Sequence, residues 1–142
     1  MKLRPYQSKD FDAVIRLWWD SWHSSSDYKH PKSISLWENR WRLLERDHEI
    51  VVIEMSEKIV AFAALDLQGC ILSQIFVLPE YKRRGIGSYL IKWVSSKCKM
   101  SFSLKTASNN VESRAFYESL GMKKIGTSLN DFNGREETEY KA

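Results

Sequence analysis

The chain has 142 residues, 43% hydrophobic and 28% charged, which suits one domain able to bury a core without a structural metal and excludes a disordered polypeptide. No apolar run reaches the length of a bilayer span, and the opening MKLRPYQSKDFD lacks the apolar stretch of a secretory signal, so a cytoplasmic protein with no membrane partner is expected. The net charge of +4 is uneven: residues 81 to 111 carry seven cations and no carboxylate, while the remainder carries fifteen cations against eighteen acids. That segment reads either as a solvated basic helix face or as a site for a polyanion.

No repeat or flexible linker divides the sequence, so residues 1–142 are expected to form a single domain. Ser8 or Asp10 can cap a first helix whose apolar residues Phe11, Val14, Ile15, Leu17 and Trp18 share a face. His30-Pro31 marks a break, and a second helix from Ser33 or Ser35 carries Leu36, Trp37, Trp41 and Leu44. Trp18, Trp37 and Trp41 are expected in the core.

The pattern then changes to short apolar runs, Ile50 to Ile53 and Ile59 to Leu65, joined as a hairpin, with a third strand from Cys70 to Val77. Unbroken apolar strands require helices on both sheet faces. After a glycine-rich loop, Leu90, Ile91, Val94 and Cys98 recur at helical spacing, and a strand follows at Ser101 to Thr106. Asn109 can cap a last helix that stops at Gly121, and Asn133-Gly134 signals a closing hairpin. Cys70 and Cys98 lack a CxxC spacing or a neighbouring His, so they are expected as buried thiols, with no disulfide and no metal site.

The chemistry concentrates in Pro79-Glu-Tyr-Lys-Arg-Arg-Gly-Ile-Gly-Ser88, set between a buried strand and an amphipathic helix. Glycines let the backbone approach a ligand and turn its N–H groups inward, and the helix N-terminus adds partial positive charge, an arrangement suited to a pyrophosphate. The loop lacks the GKS or GKT ending of a triphosphate-binding loop and the GxGxxG spacing of a dinucleotide-binding one. By itself it also reads as a tight strand-to-helix turn.

This segment resembles the acetyl-CoA loop of the GNAT N-acetyltransferases, with Lys82 where the family has Gln or Arg. The later run Asn109 to Met122 is similar to the second motif of that family, matching it at Asn110, Tyr117, Leu120 and Gly121. The resemblance implies an α/β GNAT fold: a mixed, mainly antiparallel sheet, splayed at its centre to admit acetyl-CoA, with helices on both faces. It also implies that backbone groups of Ile75, Phe76 and Val77 hold the pantetheine arm. Lys82, Arg83, Arg84, Gly85, Ile86, Gly87 and Ser88 would hold the pyrophosphate, Asn110 would bond the pantetheine, and Tyr117 would protonate the departing thiolate.

The implied activity is direct acetyl transfer from acetyl-CoA to a primary amine, without a metal, by a monomer or homodimer. Lys105 stands where relatives acting on protein N-termini often carry a Glu, so the base is sought among His23, Asp27, Glu49 and Asp66 or an ordered water. His30 and His48 are expected at the surface. Trp22, His23, Tyr28 and Gln74 are candidates for the acceptor pocket. Competing readings are a CoA-binding sensor without catalysis and a nucleic-acid-binding module built on the basic segment, although that segment lacks a strand platform of interleaved aromatics.

Overall fold

Residues 1–24, 34–99, 101–131 and 134–142 are described by the computed structural model, with backbone alone for 21–24. Strands β1 (Lys2–Pro5), β2 (Glu49–Met55), β3 (Lys58–Asp66), β4 (Ile71–Val77), β5 (Ser103–Ala107), β6 (Lys123–Leu129) and β7 (Glu136–Lys141) form one sheet in the order β1-β2-β3-β4-β5-β7-β6. Helices α1 (Phe11–Ser24), α2 (Ile34–Asp47), α3 (Ile86–Lys97) and α4 (Val111–Ser119) complete the chain.

Neighbouring side chains of a strand point to opposite faces, and β2 and β3 are apolar on both because both are covered. Val51, Ile53, Ala61, Ala63 and Leu65 pack with Leu90, Ile91 and Val94 of α3 and with Tyr117 of α4. Ile50, Val52, Phe62 and Ala64 turn the other way, onto Val14, Ile15, Leu17 and Trp18 of α1 and Trp37 and Trp41 of α2. The expected three tryptophans are buried there, Trp18 edge-on to Trp37 at 4.7 Å and Trp41 edge-on to Phe62 at 5.0 Å. Such edge-to-face contacts add roughly 0.5–1.5 kcal/mol each beyond the area they bury.

Among the described residues β4 and β5 are the one parallel pair, and their ladder is short: Ile71 pairs with Ser103 and Leu72 with Leu104, and no further. Beyond these the strands diverge, so the sheet is splayed at its centre as expected. Ser73 is the cause on the β4 side of a further irregularity, because Gln74 pairs with Ala64 and Leu72 with Leu65, leaving Ser73 as the extra residue of a β-bulge.

Several expectations need correction. Strand β1 was not foreseen; it adds an edge to β2, with Leu3 opposite Ile53. Asp10 does not cap from the helix end alone: it accepts from the Gln7 N–H at 2.9 Å and from Arg4 at 2.8 and 3.0 Å, tying β1 to the start of α1. Asn110, not Asn109, caps α4, its Oδ1 accepting from the Ser113 N–H at 3.1 Å. Cys70 and Cys98 are not separate thiols but a disulfide, with Cα atoms 5.8 Å apart. The C-terminal end of α3 returns to the start of β4, bringing together residues 28 apart in sequence.

Candidate active site

The gap between β4 and β5 opens into a cavity of about 1030 Å³ that runs along the sheet edge from the glycine-rich loop to the helices α1 and α2. Gln74, Ile75, Phe76 and Val77 of β4 form one wall, and Lys105, Thr106 and Ala107 of β5 the other. A strand edge that lacks a neighbour presents backbone N–H and C=O groups, ready to bond an extended ligand.

At the mouth, Lys82, Arg83, Gly85, Ile86, Gly87 and Ser88 line the cavity. Arg83 and Gly85 both have left-handed backbone, with φ of 64° and 82°. Gly85 is the residue before the first turn of α3, and a Cβ placed on it meets no protein atom within 4 Å. The space beside the start of α3 is therefore open at Gly85, and the first N–H groups of a helix, which lack intrahelical partners, favour negative charge. Gly87 is different, since a Cβ there would stand 3.2 Å from Phe116 Cζ; its smallness lets α3 lie close to α4. Of the loop residues expected at the site, Arg84 is the one outside the cavity wall, its guanidinium 5.0 Å from the centre of the Tyr81 ring.

Asn110 and Tyr117 reach the same cavity from α4. The turn before that helix is fixed by several bonds: Asn110 N–H to Ala107 O at 2.9 Å, Arg114 Nη1 to Ser108 O at 3.2 Å, and Ser108 Oγ to Thr138 Oγ1 at 2.8 Å. The Tyr117 ring rests between Phe116 and Tyr140, at 5.4 and 6.0 Å between centroids. Among the described residues no protein group bonds its hydroxyl. Burial pushes that phenol well above the ordinary tyrosine range, so it remains a proton donor throughout the physiological span.

The opposite end of the cavity is made by Trp18, Trp37, Arg40 and Leu44 beneath α1 and α2, with Glu137 and Glu139 of β7 across from them. Burial lowers the Arg40 pKa, opposed by the charges of Glu137 and Asp131. His48 was expected at the surface, and this too needs correction. Its side chain is 11% exposed and lines the cavity, bonded to Ser73 Oγ at 2.8 Å and Asp47 Oδ1 at 2.6 Å. Sequence gave no signal for it, because the bulge that brings Ser73 to the imidazole has no residue signature.

Gln74 lines the cavity wall. The side chains of Trp22 and His23, and the whole of Asp27, Tyr28 and His30, lie outside the described residues. Glu49 is engaged by Lys97 at 3.2 Å, and Asp66 accepts from the Gln68 N–H at 3.0 Å in a turn, so both have structural work away from the cavity.

A mixed sheet parted at its parallel pair, with a glycine-opened helix entrance at the mouth, defines a cleft for an extended, anionic-ended ligand. The model of the Acetyltransferase (GNAT) family matches residues 11–122, and the chain belongs to that family. An uncharacterized N-acetyltransferase of Archaeoglobus fulgidus is 24% identical over 138 residues, spanning 87% of this chain and 94% of that protein. Two solved structures share the fold over 99% of this chain. Apo-form YjaB from Escherichia coli has a TM-score of 0.83 at 17% identity, with 95% of its chain covered. The PaiA N-acetyltransferase from Thermoplasma acidophilum, in complex with coenzyme A, has a TM-score of 0.78 at 19% identity, with 98% covered. Family membership supports acetyl transfer and acetyl-CoA binding, and the open space at Gly85 and the parted strands fit such a donor.

Proposed function

We propose that the protein transfers the acetyl group of acetyl-CoA to a primary amine, of a small molecule or a peptide, by direct attack within a ternary complex. The observation that carries this reading is the convergence of strand edge, helix entrance, Asn110 and Tyr117 on one cavity. The donor supplies an already activated thioester, so the protein has mainly to bind, orient and move protons.

On this reading Ile75, Phe76 and Val77 offer backbone bonds to the pantetheine arm, and the turn from Lys82 to Ser88 takes the pyrophosphate. Asn110 bonds the arm with the amide nitrogen left over from its capping bond. Tyr117 gives its proton to sulfur, a role suited to a buried phenol with no protein partner among the described residues. The amine enters from the Trp18 and Trp37 end, where Glu137 and Glu139 attract a cation. A single domain acting in the cytoplasm, as a monomer or homodimer, accompanies this reading.

The test is calorimetry with acetyl-CoA, followed by thiol release over a panel of aliphatic amines, polyamines and short peptides. Binding together with amine-dependent thiol release is expected. Binding without release for every amine would make the chain a CoA sensor. Tighter binding of an oligonucleotide than of acetyl-CoA at equal salt would overturn the assignment of the loop.

A further inference from the structure

We infer that Ser73 and His48 form the proton exit for the acceptor amine, with Asp47 fixing the imidazole; this rests on the acetyltransferase reading above. The three groups come from two elements that the fold brings together. Helix α2 ends at Asp47, and the His48 N–H still bonds back to Leu44 O at 3.1 Å, so the imidazole is held at the helix exit. Ser73 meets it because the bulge in β4 inserts that residue between Leu72 and Gln74. Bulges re-aim a side chain beside a site in this way.

The hydrogen bonds set the direction of proton flow. The Asp47 carboxylate only accepts, so the 2.6 Å contact places the proton of the neutral imidazole on Nδ1. Nε2 then carries the lone pair and accepts from the Ser73 hydroxyl at 2.8 Å. Ser73 and His48 both border the large cavity, next to Gln74 on the strand edge, where the amine must approach the thioester. As the amine nitrogen forms its bond to the acetyl carbon, the carbon–sulfur bond breaks and its electron pair leaves with sulfur. Tyr117 supplies a proton to sulfur, nitrogen gives one to Ser73 Oγ, and the serine proton passes to His48 Nε2. Charge and atoms balance when Tyr117 is reprotonated and His48 releases its proton to water. Ser73 is therefore the catalytic hydroxyl, and His48 and Asp47 act through it.

The surroundings leave the imidazole free for this work. Glu45, which shares a small second cavity with His48, is taken by Tyr6 Oη at 2.9 Å and Arg42 at 3.2 Å. Besides Asp47 and these groups, the charged residues that share the lining of the large cavity with it are Arg40, Lys82, Arg83, Lys105, Glu112, Glu137 and Glu139.

The experiment compares parent, S73A, H48Q and D47N. Folding is checked by thermal unfolding and acetyl-CoA affinity by calorimetry. For a positioned base, S73A and H48Q should each lower kcat/KM for the amine by roughly 10²-fold near pH 7, with acetyl-CoA affinity unchanged. The deficit should persist above the pKa of the amine, because the free base still carries the proton that must leave as nitrogen bonds to carbon. D47N should lower the rate less, because it loosens the imidazole without removing Nε2. A deficit that disappears once the amine is fully the free base, or a double mutant S73A/H48Q whose losses multiply in full, overturns the relay. The ¹⁵N spectrum of His48 reads the tautomer without any substrate: Nδ1–H supports the arrangement, and Nε2–H overturns it. Failure to bind acetyl-CoA in the parent would overturn the acetyltransferase reading and with it the relay.

Discussion

The two glycines of the loop look equivalent in sequence, yet alanine should act on them unequally. Gly85 has φ of 82°, where an L-residue costs about 1–2 kcal/mol, partly offset by the reduced freedom of the unfolded chain. A net loss of about 1 kcal/mol, against an unfolding entropy of about 0.3 kcal/mol/K for 142 residues, lowers Tm by about 3 °C. Its new methyl meets no protein atom, and on the reading that the donor phosphates lie against this turn it would intrude on them, so acetyl-CoA affinity should fall tenfold or more, about 1.4 kcal/mol. Gly87 lies inside the first turn of α3, where alanine gains about 1 kcal/mol of helix propensity. Its Cβ points at Phe116 instead, 3.2 Å from Cζ, and that half-exposed ring can give by a few tenths of an ångström. Gly87→Ala should therefore keep Tm within about 3 °C of the parent and lose less affinity than Gly85→Ala. Scanning calorimetry and titration calorimetry on both variants decide the matter. Equal loss of affinity, or an unchanged Tm and affinity for Gly85→Ala, would refute the geometry assigned to the loop.

Two other perturbations separate chemistry from architecture. Tyr117→Phe removes a hydroxyl that bonds no protein group among the described residues, so stability should hold while turnover falls by roughly 10²-fold. That deficit should narrow above about pH 8.5, where a thiol leaves readily unprotonated, and a variant that turns over like the parent across a pH series would make Tyr117 a packing residue. Asp10→Asn breaks the charged bonds to Arg4, worth about 1.5–3 kcal/mol at pH 7. Arg4 holds the Asp10 carboxyl below the usual carboxylate range, so its stabilisation is present above about pH 4 and is lost as pH falls through the folded value. Thermal unfolding from pH 7 to pH 3 should show the gap between parent and variant closing.

The features legible in the sequence are those set by local chemistry. Helical spacing placed Leu90, Ile91 and Val94 inward, and Gly121 ends α4 with φ of 85°, its N–H bonded to Glu118 O. The loop from Lys82 to Ser88 was legible because glycines, cations and a helix start occur together. What escaped depends on partners remote in the chain. Strand β1 is four residues ending in proline and exists by pairing with β2. The Cys70–Cys98 bridge needs α3 to return to β4. Ser73 reaches His48 through a bulge that only the pairing of β3 with β4 creates, and the imidazole then leaves the surface.

The sheet keeps two packing regions apart, one joined to α3 and Tyr117 and one joined to α1, α2 and the tryptophans. Because residues of alternate parity in β2 and β3 serve different regions, a change of volume on one side has little direct contact with the other, and distant changes of that kind usually add. Substitutions beside Trp18 and Trp37 can then reshape the helix end of the cavity while the mouth at Gly85 stays as it is. The parted edge of β4 and β5 is where both regions border the same space. A bound donor threaded there would be the physical link between them, so tighter gripping of one substrate by either region must, by linkage, alter the grip on the other through the donor rather than through the protein core.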